Sequence, residues 1–224
     1  MKLAMVGLGK MGANMVRRLA ASNHELFVYD VDERTAGNLA NELNGVQAMK
    51  DLKQLVAVLP APRTIWLMVP HQFVDESIEL LLAAGIGQGD LIVDGGNSNF
   101  NLSKQRAQYL LERGVHFVDS GTSGGIWGLE NGYSIMVGGS DEAVAMVRPA
   151  LESLAPAKDR GWGHVGPSGA GHYVKMVHNG IEYGMMQAFA EGFEMLDAKE
   201  EMALDLKQIS EIWQHGSVVR SWLL

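Results

Sequence analysis

Over the first two thirds of the chain, short apolar runs alternate with longer segments whose apolar residues recur at helical spacing. The runs predict strands at Lys2–Val6, Glu25–Tyr29, Thr64–Val69, Leu91–Val93, Val115–Val118 and Ser134–Val137. The segments between them predict helices at Met11–Ala21, Glu33–Leu43, Phe73–Ala84 and Leu102–Arg113. Near-continuous apolar strands separated by helices are the pattern of a mostly parallel sheet covered on both faces. After about Trp162 the pattern changes. From Ser168 to roughly Ala198 there is one long helical stretch without proline, and a second helix is predicted over Leu206–His215. Gly163, Gly166 and Pro167 break the chain between the two patterns, so two domains are expected, 1–165 and 166–224. Roughly 60 residues of helix are too few to close a core alone, so with its apolar end Trp222-Leu223-Leu224 this segment is expected either to pack on the first domain or a partner, or to be a piece of something longer.

Composition narrows the function classes. With 47% hydrophobic and 20% charged residues the chain reads as globular. No run approaches a membrane span, the glycine-broken start does not read as a signal peptide, and the simplest expected home is the cytoplasm, with no membrane partner. The absence of cysteine rules out disulfides and thiolate metal sites. A net charge of −8 without a basic cluster disfavours nucleic acid, because nothing would neutralise its phosphates. Glycine is abundant, 27 of 224 residues, and it clusters between apolar segments, where tight turns and close backbone approach to a ligand are needed.

The first cluster is specific. Gly7-Leu8-Gly9-Lys10-Met11-Gly12 fits G-x-G-x-x-G, follows a predicted strand and opens a predicted helix. Gly7 permits the turn, Gly9 admits a pyrophosphate and Gly12 lets helix and strand pack. Asp30, at the end of the second strand, stands where a carboxylate accepts hydrogen bonds from ribose hydroxyls. The fold expected is therefore α/β, a Rossmann-like doubly wound sheet, followed by the start of an all-α domain. Asp30, with Asp32 and Glu33 close by, would repel a 2′-phosphate, so NAD is expected over NADP. The bland alternative is a glycine turn with a helix-capping aspartate.

Two further turns, Asp94-Gly95-Gly96-Asn97-Ser98 and Ser120-Gly121-Thr122-Ser123-Gly124-Gly125, follow later strands. Ligands of open parallel sheets bind beyond the carboxyl ends of the strands, and small hydrogen-bonding side chains there suit a polyhydroxy substrate. The long helix carries the most informative stretch. Lys175, His178, Asn179, Glu182 and Tyr183 share one face, with Val174, Val177, Ile181 and Met185 on another, so the polar stripe is expected to line a cleft rather than a wet surface.

These residues resemble the decarboxylating 6-phosphogluconate dehydrogenases over essentially the whole chain. Lys175-Met176-Val177-His178-Asn179-Gly180-Ile181-Glu182-Tyr183 is similar to that family's signature helix, and the Asn97 and Ser123-Gly124-Gly125 turns to its substrate turns. Asp30-Val31-Asp32 is closer to the short, NAD-using branch than to the NADP branch, which carries Asn-Arg-Thr there. The resemblance implies an NAD-dependent oxidoreductase that converts 6-phosphogluconate to ribulose 5-phosphate and carbon dioxide in the pentose phosphate pathway, without a metal. It implies catalytic roles for Lys175 as base and Glu182 as acid. It implies substrate contacts at Asn97, Ser123, Gly124, Gly125, His178, Asn179 and Tyr183. Cofactor contacts are implied at Gly7 through Gly12 (Leu8, Gly9, Lys10 and Met11 included), Asp30, Val69, Pro70, His71 and Asn97.

Family members continue past residue 224, into helices with further cationic ligands for the substrate phosphate and much of a homodimer interface. The full-length protein is therefore expected to be a dimer or higher oligomer. Two other readings compete. One is a 3-hydroxyacid dehydrogenase of the 3-hydroxyisobutyrate type, which shares the Ser-Gly-Gly turn and a lysine but lacks the His-Asn-Gly-Ile-Glu-Tyr continuation. The other is a nucleotide-binding piece without catalysis.

Overall fold

A computed structural model describes residues 1–224. The chain divides into two compact units, Met1–Lys175 and Met176–Leu224. The first unit is a sheet of eight strands. These are β1 (Lys2–Val6), β2 (Glu25–Tyr29), β3 (Val46–Ala48), β4 (Thr64–Leu67), β5 (Leu91–Asp94), β6 (His116–Ser123), β7 (Ser134–Gly139) and β8 (Trp162–Gly166). Their spatial order is β3-β2-β1-β4-β5-β6-β7-β8, with all neighbours parallel except β6 and β7. The order reverses between β1 and β4, the place where doubly wound sheets open a crevice for ligands.

Seven helices follow these strands through most of the unit: α1 (Lys10–Ala21), α2 (Glu33–Glu42), α3 (Leu52–Val58), α4 (Val74–Ala83), α5 (Phe100–Leu111), the single turn α6 (Gly128–Asn131) and α7 (Asp141–Leu154). The strands bury both faces. Along β1, Leu3 and Met5 join one core with Met15, Leu19 and Val147, while Ala4 and Val6 join the other with Leu55, Leu81 and Leu110. That two-sided burial is why the strand sequences read as unbroken apolar runs.

The long helix α8 (Ala170–Asp197) begins in the first unit and continues into the second. The second unit adds a short 3₁₀ turn (Glu200–Met202) and α9 (Leu206–Trp213), where Phe193 and Trp213 meet with ring centroids 5.6 Å apart. Several of its apolar side chains are exposed, among them Ile181, Met195 and Trp222.

The sequence pattern and the fold differ in instructive places. The pattern does not predict β3, α3, α6, α7 or β8. β3 is a three-residue edge strand, too short to show a period. α7 contains Pro149, a helix breaker by local rules, but starts on a Ser140 cap whose side chain accepts from the Ala143 N–H. β8 occupies the glycine-rich stretch expected to be a break, and it pairs with β7 from Ile135–Trp162 to Gly138–Gly166. β6 runs five residues beyond the expected Val118, because antiparallel pairing with β7 carries it to Ser123 opposite Ser134. Ser120-Gly121-Thr122-Ser123 is therefore strand, and only Gly124-Gly125 is turn. The segment expected as one helix from Phe73 starts as a 3₁₀ turn, His71–Phe73.

His24 gives the first unit a defined acid sensitivity. The residue is 6% exposed, and its ring Nε2 lies 2.8 Å from the Ser153 hydroxyl of α7. Burial, then the nearby terminal amine, holds the imidazole below its ordinary pKa, so the folded chain keeps it neutral. A base with a lowered folded-state pKa is protonated preferentially in the unfolded chain. Stability should therefore fall as pH drops below about 6.5, the unfolded value of histidine. Thermal unfolding midpoints between pH 7.5 and 5.5 should decline, and His24→Gln should flatten that decline. An equally steep decline in His24→Gln would assign it to other groups.

Candidate active site

The turns after β1, β4 and β5 meet at the switch point, the first and last of them glycine-rich. Gly7, with φ +93°, lies so close to the next turn that a Cβ there would sit 2.7 Å from the Met68 carbonyl oxygen. Gly12 packs against the Gly7 carbonyl, and Gly96 faces the Val69 carbonyl, where a Cβ would come within 3.0 Å. Any side chain at these positions would push neighbouring turns apart.

The first turn fits a dinucleotide on its own geometry. A Cβ at Gly9 would meet nothing within 4 Å, which leaves open space beside the start of α1. No side chain caps that helix and no acid lies in its first turn, so its N-terminal N–H groups face an unobstructed approach for a phosphate. Lys10 and Met11 form the first helical residues. Asp30 directly follows β2 and is already engaged. Its Oδ2 accepts from the Leu8 N–H at 2.6 Å and its Oδ1 from the Asp32 N–H at 2.9 Å. The carboxylate expected to meet ribose thus also holds the glycine turn in shape. Val31 beside it is 91% exposed.

Val69 and Pro70 lead from β4 into the 3₁₀ turn that opens at His71. Asp94 ends β5 fully buried. It accepts from the Gly96 N–H at 3.1 Å and pairs with Arg106 of α5 at 3.1 Å, while Arg106 also binds Asp75 of α4 at 2.6 Å. The guanidinium holds Asp75 below the usual carboxylate range. One buried arginine thereby ties the helix after the Val69–His71 turn to the turn that carries exposed Asn97.

Ser123, Gly124 and Gly125 lie at the end of β6, with Gly124 at φ +129° and Gly125 at φ +49°. Lys175 reaches the same strand. A Cβ on Gly121 would lie 2.5 Å from the Lys175 Cβ and 2.6 Å from the Gly171 carbonyl oxygen. His178, Asn179, Glu182 and Tyr183 follow on later turns of the same unbroken helix, in the second unit. His178 Nδ1 stands 3.7 Å from the Glu182 carboxylate, an i,i+4 pair. Tyr183 is 71% exposed, and the apolar residues Val177 and Ile181 are exposed as well. No group of three or more His, Asp or Glu side chains is placed to hold a metal ion, and no helix is long and apolar enough to cross a membrane.

Known proteins match this arrangement over the full chain. Residues 2–165 match the NAD binding domain of 6-phosphogluconate dehydrogenase, and residues 171–224 match the 6-phosphogluconate dehydrogenase C-terminal domain. The chain belongs to the 6-phosphogluconate dehydrogenase family. It is an oxidoreductase of that family. A NAD(+)-dependent, decarboxylating 6-phosphogluconate dehydrogenase of Haloferax volcanii is 41% identical over all of this chain, which spans 73% of that protein. The Plasmodium falciparum 6-phosphogluconate dehydrogenase, solved with NADP+ and with 6-phosphogluconate, superposes with a TM-score of 0.86 at 32% identity, over 96% of this chain and 48% of that one. A 3-hydroxyisobutyrate dehydrogenase of Mycobacterium tuberculosis superposes with a TM-score of 0.81 at 24% identity, over 100% of this chain and 72% of that one, and shares the fold.

Sequence reasoning does not single out Arg106, Asp119, Ser103 or His172, all buried around these turns. The available signal is polarity in an unexpected place: an aspartate directly after the apolar run of each of two strands, Leu91-Ile92-Val93 and Phe117-Val118.

The double engagement of Asp30 predicts a specific outcome. Asp30→Ala should weaken NAD binding by about tenfold, because the Leu8 N–H loses its acceptor and the turn loosens. NADP binding should fall less than NAD binding, because the lost carboxylate also no longer repels a 2′-phosphate. Titration of both cofactors by protein fluorescence checks this, and an Asp30→Ala chain that binds NADP as tightly as the parent binds NAD would contradict it.

Proposed function

We propose that this chain carries the oxidation and decarboxylation of 6-phosphogluconate to ribulose 5-phosphate and carbon dioxide, with NAD as the hydride acceptor. The observation that carries this reading is the unbroken helix from Ala170, which seats Lys175 against β6 and presents His178, Asn179, Glu182 and Tyr183 at i+3, i+4, i+7 and i+8. The names of the relatives supply the substrate class.

A nicotinamide held beside Val69, Pro70 and His71 would supply the acceptor for the hydride of C3 of the sugar acid. Lys175, with its amine neutral, takes the proton of the C3 hydroxyl. The resulting ketone sits β to the carboxylate and accepts the electrons released as carbon dioxide leaves. The Lys175 ammonium then stands beside the enolate oxygen, where its positive charge offsets the negative charge that develops. Glu182 delivers a proton to C1, and His178 beside it orients the carboxyl group. Asn97, Ser123, Gly124, Gly125, Asn179 and Tyr183 offer hydrogen-bonding groups to the hydroxyls and carboxylate of the substrate. Val69, Pro70 and His71 line the nicotinamide side, and Gly7 through Gly12 cradle the pyrophosphate at the start of α1. Asp30, Asp32 and Glu33 favour NAD, since a 2′-phosphate would meet three carboxylates.

Stoichiometry tests the reading. One carbon dioxide and one NADH should form per 6-phosphogluconate consumed, while 3-hydroxyisobutyrate should not be oxidised. Oxidation of 3-hydroxyisobutyrate without turnover of 6-phosphogluconate would overturn the proposal. NAD should be preferred to NADP at least tenfold in kcat/KM, a difference of about 1.4 kcal/mol. Equal efficiency would refute the cofactor assignment. Glu182→Gln should lower the overall rate by about 10² to 10⁴ and abolish proton exchange at C1 of ribulose 5-phosphate. Exchange at the parent rate would remove Glu182 from the role of acid.

A further inference from the structure

Asp119 lies on β6 with no exposed surface, and it is not among the residues expected to touch substrate or cofactor. Its two carboxylate oxygens are both used. Oδ1 accepts from the Gly169 N–H at 2.6 Å and Oδ2 from the His172 N–H at 2.8 Å, on either side of the first residues of α8. These are donors that a helix start cannot satisfy internally, and the positive end of the helix dipole favours a negative group there. Burial pushes the Asp119 carboxyl up from its ordinary pKa, against the opposing pull of those two N–H donors.

Three glycines allow the close packing at this joint. A Cβ on Gly171 would lie 2.5 Å from the carbonyl oxygens of Asp119 and Met136. One on Gly138 would lie 2.6 Å from Asp119 Oδ1, and one on Gly121 would strike Lys175. A second tie runs from α5. Ser103 Oγ stands 2.7 Å from His172 Nδ1, and Phe100 meets Tyr173 edge to face at 5.1 Å. The first turn of α8 is thus fixed from two sides, and Lys175 lies one turn beyond His172.

We infer that Asp119 is a positioning residue for Lys175: it anchors the start of α8 on β6 and so sets where the lysine amine stands relative to the Ser123-Gly124-Gly125 turn. The kinetic part of this inference rests on the function proposed above; the anchoring itself does not. Asparagine in place of Asp119 keeps the shape but turns an NH₂ group toward one of the two N–H donors. One hydrogen bond is then lost, and two donors are left facing each other in a buried place.

The test compares the parent chain with Asp119→Asn and with Gly121→Ala, whose Cβ would press on the Gly171 carbonyl and the Lys175 Cβ and so lift the start of α8 from β6. Gly121→Ala also carries the test should Asp119→Asn fail to fold. Amide hydrogen exchange followed by mass spectrometry should quicken at least tenfold over residues 169–176 in both variants and stay unchanged over residues 2–29. For 6-phosphogluconate oxidation, kcat should fall at least tenfold while KM for NAD stays within twofold. Acylation of the Lys175 amine, mapped on peptides, should change at least threefold in rate.

Parent-like exchange over 169–176 would overturn the anchoring. Quickened exchange with parent kcat and parent Lys175 reactivity would reduce Asp119 to a merely structural residue and overturn the positioning. If the parent chain itself oxidised no 6-phosphogluconate, the proposed function would fall, and exchange together with Lys175 reactivity would still decide the role of Asp119.

Discussion

Two buried carboxylates on adjacent strands set the geometry on which the rest of the site depends. Asp94 and Asp119 are register partners at the end of the parallel pairing of β5 and β6, and neither is exposed. Side by side in a core, two such charges would repel each other and lose their hydration. Each instead has its own compensation. Asp94 has the Arg106 guanidinium, and Asp119 has the N–H groups that open α8. Removing one partner of a buried ion pair costs about 3–5 kcal/mol, so the Asp94–Arg106 arrangement is not easily relaxed. The consequence is positional: one carboxylate fixes the turn bearing Asn97, the other fixes the turn of helix that precedes Lys175.

Close backbone approach does the rest. At the nucleotide end, Gly7 and Gly12 let the β1 turn lie on Met68 and Val69. At the other end, Gly121, Gly138 and Gly171 let α8 start directly on β6 and β7. Between them, Arg106 joins Asp75 to Asp94 and so couples the helix after the β4 turn to the turn after β5. Proximity of this kind, held by buried bonds rather than by loops, is what a hydride transfer and a proton transfer at one carbon require.

Much of this is legible in the sequence because it rests on short-range rules. Strands β1, β2, β4, β5 and β7 start where their apolar runs start, and G-x-G-x-x-G sits between strand and helix as its chemistry requires. What stays hidden depends on partners far along the chain. β6 continues to Ser123 because β7 pairs with it, and β8 forms from glycine-rich sequence because β7 offers an edge. α7 forms around Pro149 because its Ser140 cap and its buried face outweigh one breaker. Asp30 reads locally as a ribose ligand, but its bond to the Leu8 N–H spans 22 residues and belongs to the folded turn. Asp119 and Arg106 give only a weak signal, a charge in an apolar run and a cation on a helix, until their partners are in place.

In the proposed function the start of α8 delivers Lys175 to the reacting carbon. Lys175→Met tests it most directly, because the substitution keeps most of the bulk of the side chain and removes the amine. Stopped-flow absorbance at the NADH band, with saturating NAD and 6-phosphogluconate, follows hydride transfer alone, and fluorescence titration reports NAD binding separately. NAD affinity should stay within twofold of the parent, and hydride transfer should slow by at least about 10³. Hydride transfer within tenfold of the parent rate, at unchanged NAD affinity, would contradict the claim.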